Sequence, residues 1–407
     1  MTSRLPGHAP GSSRRLLIAN LLAQLAFGLT AMTLCLPSMQ EWGATFGADQ
    51  SAVQLTFSGY MVAYGTLQLI YGPLSDRFGR KRILLAGLLL GGVGSILAAL
   101  AADIVTLTAA RIVQGAGGAA SMVVGRALVQ DLFEGSERTR IMAYVGMVLG
   151  FVPPMATLIG GQMHTRFGWQ ANFVLAAAFA VALMLAAWRG LPSRPQTPPT
   201  DSHWLGAMFA SYSRLAREPA FLLYVSILSF TTTAFFVFLA GAPIVLDSYG
   251  VGPEGIGWYI MCVPITYIAG NYVASRLIRR VGERPMMVAG QAAAICGLAL
   301  MLALGMAGLK TPLALALPLM LLGAGHGILM PPVLAGTLGV IPALAGSAAA
   351  VAGLTQQLMG AVGGYAVGLL HHDGAVNLGL LMLGFTLLAV GAQALLHRRL
   401  PDHSAPR

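Results

Sequence analysis

Twelve stretches, most of about twenty or more consecutive and largely apolar residues, divide this 407-residue chain, near 16–38, 52–72, 83–102, 106–128, 141–163, 171–190, 220–246, 256–278, 286–305, 312–338, 346–369 and 377–396. A helix needs about twenty apolar residues to cross a bilayer's hydrocarbon core. Twelve such runs predict an all-α membrane protein with twelve transmembrane helices. Composition closes off the soluble alternative: only 9% of residues are charged and 56% are hydrophobic, against about a quarter charged in a soluble domain. The run after Arg14 and Arg15 is too long for a signal-peptide core, so it is read as the first span.

The net charge of +10 follows a topological pattern. Arg14, Arg15, Arg77, Arg80, Lys81, Arg82, Arg138, Arg140, Arg189, Arg194, Arg214, Arg217, Arg276 to Arg284, Arg398 and Arg399 fall on one face of a twelve-span topology. The other face carries mainly Glu41, Asp49, Asp103, Asp247, Glu254 and Asp373, with Arg166 and Lys310 as exceptions. The positive-inside rule then predicts both termini in the cytoplasm. A basic face on a soluble module, which nucleic acid binding requires, is absent, so no nucleic-acid partner is expected. Cys35, Cys262 and Cys296 all lie in apolar runs and read as packing residues.

The stretch 191–203 is rich in proline and polar residues and reads as a flexible linker. Three units are expected: a six-helix bundle over 1–190, a cytoplasmic linker over 191–219 and a second bundle over 220–407. The halves echo each other. Leu74–Lys81 (LSDRFGRK) aligns with Leu277–Arg284 (LIRRVGER), and Leu36-Pro37 with Ala242-Pro243. Paired six-span halves place a substrate site between them near the midplane.

The segment between spans two and three, Gly72-Pro-Leu-Ser-Asp76-Arg77-Phe-Gly79-Arg80-Lys81-Arg82, orders glycine, acid and base in a defined way. The glycines permit a tight turn, Asp76 is expected at the start of the third span, and the basic residues can anchor to anionic headgroups. Arg111 lies inside span four, where a guanidinium costs about 2.5–3.5 kcal/mol and has to be paired or face water. It reads either as a functional cation or as a structural arginine held by helix-end carbonyls. Arg126, further along that span, reads as a snorkelling side chain near the cytoplasmic end. In span five, Gly146, Gly150, Pro153, Pro154, Gly160 and Gly161 allow close packing and bending.

The loop between spans two and three resembles the cytoplasmic signature of the major facilitator superfamily, and Arg111-Ile-Val-Gln114-Gly115 resembles its second motif. The glycines and prolines of span five resemble its antiporter motif. Val53–Tyr60 (VQLTFSGY), Gln68–Gly72 (QLIYG) and Phe235–Pro243 (FFVFLAGAP) bring the chain nearest to the bicyclomycin/chloramphenicol-resistance branch of drug:proton antiporters. The resemblance implies the major facilitator fold of two six-helix bundles, no enzymatic activity, and export of lipophilic drugs in exchange for protons. It further implies a monomer in the bacterial inner membrane whose partners are a small lipophilic substrate, protons and lipid. Gly72, Asp76, Arg77, Gly79 and Arg80 become gating candidates on this resemblance. That branch typically carries an acidic residue where this chain has Thr33, and no Asp or Glu remains in the middle of any span.

Proton coupling then falls to His326, in a proline-broken span, or indirectly to Arg111, with Glu41 and Asp131 as span-end alternatives. His326 reads equally as a histidine hydrogen-bonded across helices. The expected cavity is lined by Thr33, Tyr60, Tyr64, Gln68, Arg111, Met147, Phe151, Phe235, Phe236, Tyr259, Tyr267, Asn271, Gln356 and Gln357, a mix of aromatic surface and sparse polar groups suited to loose recognition. A rival reading is transport of one defined metabolite (a sugar, an amino-acid derivative or an organic anion) with Arg111 as its ligand. No nucleotide-binding loop or metal-ligand spacing occurs; His371-His372-Asp373 is too short a cluster for a metal site, and no cofactor is expected.

Overall fold

The computed structural model describes residues 11–192, 204–371 and 374–399, and these form fourteen α-helices with two short 3-10 turns and no strand. They are α1 (Gly11–Thr33), α2 (Met39–Phe46), α3 (Gln50–Phe78), α4 (Arg80–Ala99), α5 (Ile104–Leu132), α6 (Gly135–Phe167) and α7 (Gln170–Gly190) in the first half. After α8 (Trp204–Ala216) come α9 (Pro219–Ser248), α10 (Pro253–Val281), α11 (Glu283–Met306), α12 (Pro312–Gly339), α13 (Ala345–Gly368) and α14 (Ala375–Arg399). Every predicted span corresponds to one long helix. The linker residues 193–203 and His372-Asp373 lie outside the described residues.

Among the described residues nine helices are long and apolar enough by composition to cross a membrane. The three that fall short are α3, α10 and α13. Each packs against the opposite half, α3 on α13 and α10 on α6. A helix that lines a cleft has less lipid to face and tolerates more polar positions, which explains the shortfall.

The span ends follow from capping chemistry. Asp49 accepts a hydrogen bond from the Ala52 amide at 3.0 Å and caps α3. Asp103 accepts from Val105 and Thr106 amides at 2.9 and 2.8 Å and caps α5. These amides hold both carboxyls below the usual carboxylate range.

Two expectations are corrected. The basic segment after Gly72 is not a loop: α3 continues to Phe78, and the chain turns at Gly79 alone, where φ is +97°. Glycine adopts that angle without steric cost. Asp76 therefore sits in the last turn of α3 and not at the start of the next span. The region read as linker also contains α8, whose Leu215 is buried with Phe221 of α9.

Candidate functional site

The two halves meet tightly on the acidic face. Gln40 Nε2 donates to the Pro243 carbonyl at 2.8 Å, Gln54 Nε2 to the Ala240 carbonyl at 3.2 Å and Ser58 Oγ to the Ala361 carbonyl at 2.8 Å. Gly161 of α6 lies so close to α10 that a Cβ there would overlap the Pro253 carbonyl oxygen, and Gly257 of α10 packs equally closely on Leu158. Phe57 and Phe236, from opposite halves, meet edge to face at 6.4 Å. His164 and Glu41 pair at 3.0 Å on this face, with His164 almost fully buried.

Contacts thin out toward the basic face. Along α6, Gly150 touches Ile268 of α10, and one turn further Gly146 has open space where a side chain would project. Met147 is 53% exposed. Along α3, Gly65 packs on Gln357 and Gln68 approaches Gly353 of α13. Packing between the halves is therefore tight on the acidic face and looser at Gly146 toward the basic one.

Among the described residues, the ion pairs on the basic face lie within the first half. Arg80 pairs with Asp76 at 2.6 Å and with Asp131 of α5 at 3.0 Å, and donates to Ser75 Oγ at 2.7 Å. Lys81 Nζ donates to the Trp188 and Leu191 carbonyls at the end of α7, where the helix dipole favours a cation. Arg77 lies over the Phe78 ring. The cluster thus ties α3, α4, α5 and α7 together in this conformer. Asp76→Asn removes one charge from this cluster and is expected to lower turnover at least tenfold while substrate affinity stays within twofold. Equilibrium binding and single-turnover transport on the same protein check this, and lost binding with normal turnover would count against a gating role.

Several residues expected in the cavity are buried in packing. Thr33 bonds to its own helix at the Leu29 carbonyl, 2.8 Å away. Tyr60 donates to the Gly28 carbonyl at 2.6 Å and stacks on the buried Tyr64 at 5.9 Å. Arg111 is fully buried: it donates to the Ala31 carbonyl at 2.7 Å, the Met32 carbonyl at 3.2 Å and Gln114 Oε1, and lies 4.4 Å from the Tyr60 ring centroid. These are helix-end carbonyls of α1, so the contacts are those of a structural arginine. Phe236 belongs to the acidic-face seal, while Phe235 packs on Phe236 and Phe238 at 6.1 and 6.2 Å.

Others stay partly open. Gln68, Tyr259, Tyr267, Asn271, Gln356 and Gln357 are half-buried, and Phe151 is 58% exposed. Gln356 Nε2 donates to Thr232 Oγ1 at 2.8 Å, and Asn271 bonds to the Tyr267 hydroxyl. Of the antiporter-motif residues, Gly160 packs on the Leu34 backbone of its own half, Gly150 and Gly161 face α10, and Pro153 and Pro154 are buried inside α6. His326 is 4% exposed, where Gly323, Gly325 and Gly327 of α12 press on the backbones of α10 and α11. It has no ion-pair partner among the described residues.

Arg126, near the basic end of α5, does not pair with Asp131, which Arg80 holds, and its side chain is accessible on the side of Tyr64.

The model of the Major Facilitator Superfamily matches residues 16–364. The chain belongs to this superfamily of transporters. Its relatives include multidrug resistance protein D of Escherichia coli strain K12, 28% identical over 381 residues that cover 92% of this chain and 94% of that one. A chloramphenicol resistance protein of Pseudomonas aeruginosa is 28% identical over 370 residues, covering 89% and 87%. A bicyclomycin resistance protein homolog of Haemophilus influenzae is 29% identical over 255 residues, covering 62% and 64%. Among solved structures, a bacterial homolog of the human lysosomal transporter Spinster, in an inward-facing and unoccupied conformation, superposes with a TM-score of 0.75 at 15% identity, covering 95% and 97%. A D-xylose–proton symporter gives 0.72 at 16% identity, covering 96% and 99%. This major facilitator protein is thus a multi-pass membrane transporter, not an enzyme, with drug-resistance proteins among its relatives.

Proposed function

We propose that this major facilitator protein exports lipophilic small molecules, amphenicol- or bicyclomycin-like, from the cytoplasm by alternating access in exchange for protons. The observation that carries the reading is the tight packing of the halves on the acidic face and its loosening at Gly146 toward the basic face, the pattern of a cleft open on that side. The positive-inside rule makes that face cytoplasmic, which puts both termini there and the protein in the bacterial inner membrane. An exporter collects its cargo from this side, and the multidrug, chloramphenicol and bicyclomycin resistance relatives support the cargo class.

Exchange of one proton for one neutral molecule gains about 2.3 kcal/mol per 100 mV, so a single titratable site suffices. His326 is our candidate, through exposure to the cleft in the opposite conformer. The test is a drug panel in a pump-deficient bacterial host. Expression is expected to raise the inhibitory concentration of chloramphenicol or bicyclomycin at least fourfold, with efflux abolished by a protonophore. His326→Ala is expected to remove proton-driven efflux and keep drug binding. No protection across the panel, despite confirmed membrane insertion, would overturn the export reading, and unchanged proton-coupled efflux in His326→Ala would exclude the histidine.

A further inference from the structure

We propose that Arg126 is an anion-recognition point in the cleft, so that the transported class includes lipophilic monoanions, an aromatic or aliphatic body bearing one carboxylate. This rests on the export reading and adds the charge of the cargo to it.

The position of Arg126 comes from its neighbours on α5. Gly115, three turns earlier on nearly the same azimuth, packs on the Tyr60 backbone of α3, and Gly125, one residue before, packs on Leu25 of α1. Arg126 therefore faces the gap between α1 and α3. Helical side chains lean toward their helix's N-terminus, and that of α5 lies at the acidic face. That lean carries the guanidinium toward the side of Tyr64. Its electrostatic interaction with Tyr64 agrees with that direction. The buried Tyr64 hydroxyl has no hydrogen-bond partner among the described residues.

Arg14 pairs with Glu137, Arg80 with Asp76 and Asp131, Lys81 with the α7 carbonyls, and Arg111 with the α1 carbonyls. Arg126 is exposed and makes no ion pair with a described residue; Arg276 of α10 shares both properties but lies over the ring of Tyr272 on its own helix. Arginine stays protonated in proteins, and its planar fork matches a carboxylate in two parallel hydrogen bonds. A permanent cation beside a cleft in a weakly polar medium attracts anions and repels organic cations. The mid-span regions contribute no Asp or Glu to cancel it. Outward passage of a monoanion also runs with an inside-negative potential.

Matched pairs isolate the charge. Benzoate, 2-naphthoate and 2-anthroate are compared with their neutral carboxamides, for binding to the purified full-length chain and for transport in vesicles. At least one acid is expected to bind tenfold or more tightly than its amide. Arg126→Gln is expected to erase that preference with less than twofold change in amide binding, and Arg126→Lys to keep part of it. As a second route, Arg126→Cys in a background lacking Cys35, Cys262 and Cys296 is expected to regain the preference with a cationic thiol reagent and not with an anionic one. The proposal is overturned if no acid–amide pair is distinguished or if the preference survives Arg126→Gln. Acid preference without efflux of any panel drug would remove the drug-export reading and leave the anion site standing.

Discussion

Replacing Gly161 by leucine is expected to abolish transport, by more than a hundredfold, and to leave the protein folded. Its Cβ would overlap the Pro253 carbonyl, a backbone atom of the other half that cannot rotate away. Only the conformer sealed on the acidic face contains this contact. Moving a two-state equilibrium from 99:1 to 1:99 takes about 5.5 kcal/mol, and a clash with backbone is of at least that order. A cysteine at Gly146, open in the sealed conformer, is expected to lose reactivity from the basic face in the double variant. Gly160→Leu serves as the control. Its clash is with the Leu34 backbone in the same half, so it is expected to reduce folded yield instead. Normal transport by Gly161→Leu would mean that the tight seal is not a step of the cycle.

Arg111→Ala is expected to lower stability, not affinity alone. Loss of the guanidinium leaves the Ala31 and Met32 carbonyls without their donor, at about 1–3 kcal/mol each. The vacated volume adds roughly 2–5 kcal/mol by analogy with other large-to-small core changes. Relief from holding a cation in the membrane returns only about 2.5–3.5 kcal/mol, so destabilisation wins. Arg111→Met separates the effects, because it fills the volume and still deprives the Ala31 and Met32 carbonyls of the guanidinium, leaving Met32 only the weak Cys35 Sγ donor. Thermal unfolding of the detergent-solubilised protein checks both variants. Unchanged stability with lost substrate binding would instead make Arg111 a ligand.

Most of the architecture was legible because it rests on a simple requirement, about twenty apolar residues per span, and because few other folds tolerate so little charge. The turn at Gly79 was legible as a turn but not as a one-residue turn. Proline inside α3 reads locally as a break, yet Pro73 is accommodated within a continuous helix. The helix α8 escaped notice because it is short and its apolar side is met by α9, a tertiary fact. The site was harder. Arg111 and Arg126 share one helix and one chemistry, and their different surroundings depend on which neighbour each azimuth meets. The sequence leaves Arg111 open between a functional and a structural role, and only the carbonyls of α1 that it meets distinguish the two. Tyr60 and Thr33 bond to backbone carbonyls in the same way, since a polar group on a span can bond to backbone as readily as to a ligand.

The modest apolarity of α3, α10 and α13 has a consequence for how the chain is made. A segment entering the bilayer from the translocon partitions by its own apolar content, and these three carry less of it than their neighbours. Each is followed by a strongly apolar helix, α4, α11 and α14. Insertion of α3, α10 and α13 is therefore expected to be helped by the helix synthesised immediately after, as paired hairpins. Since α3 and α13 find each other only across the two halves, α3 waits for most of the chain to be synthesised before its final neighbour arrives. The pair α3 and α13 is in this way among the last to complete its packing as the chain is made.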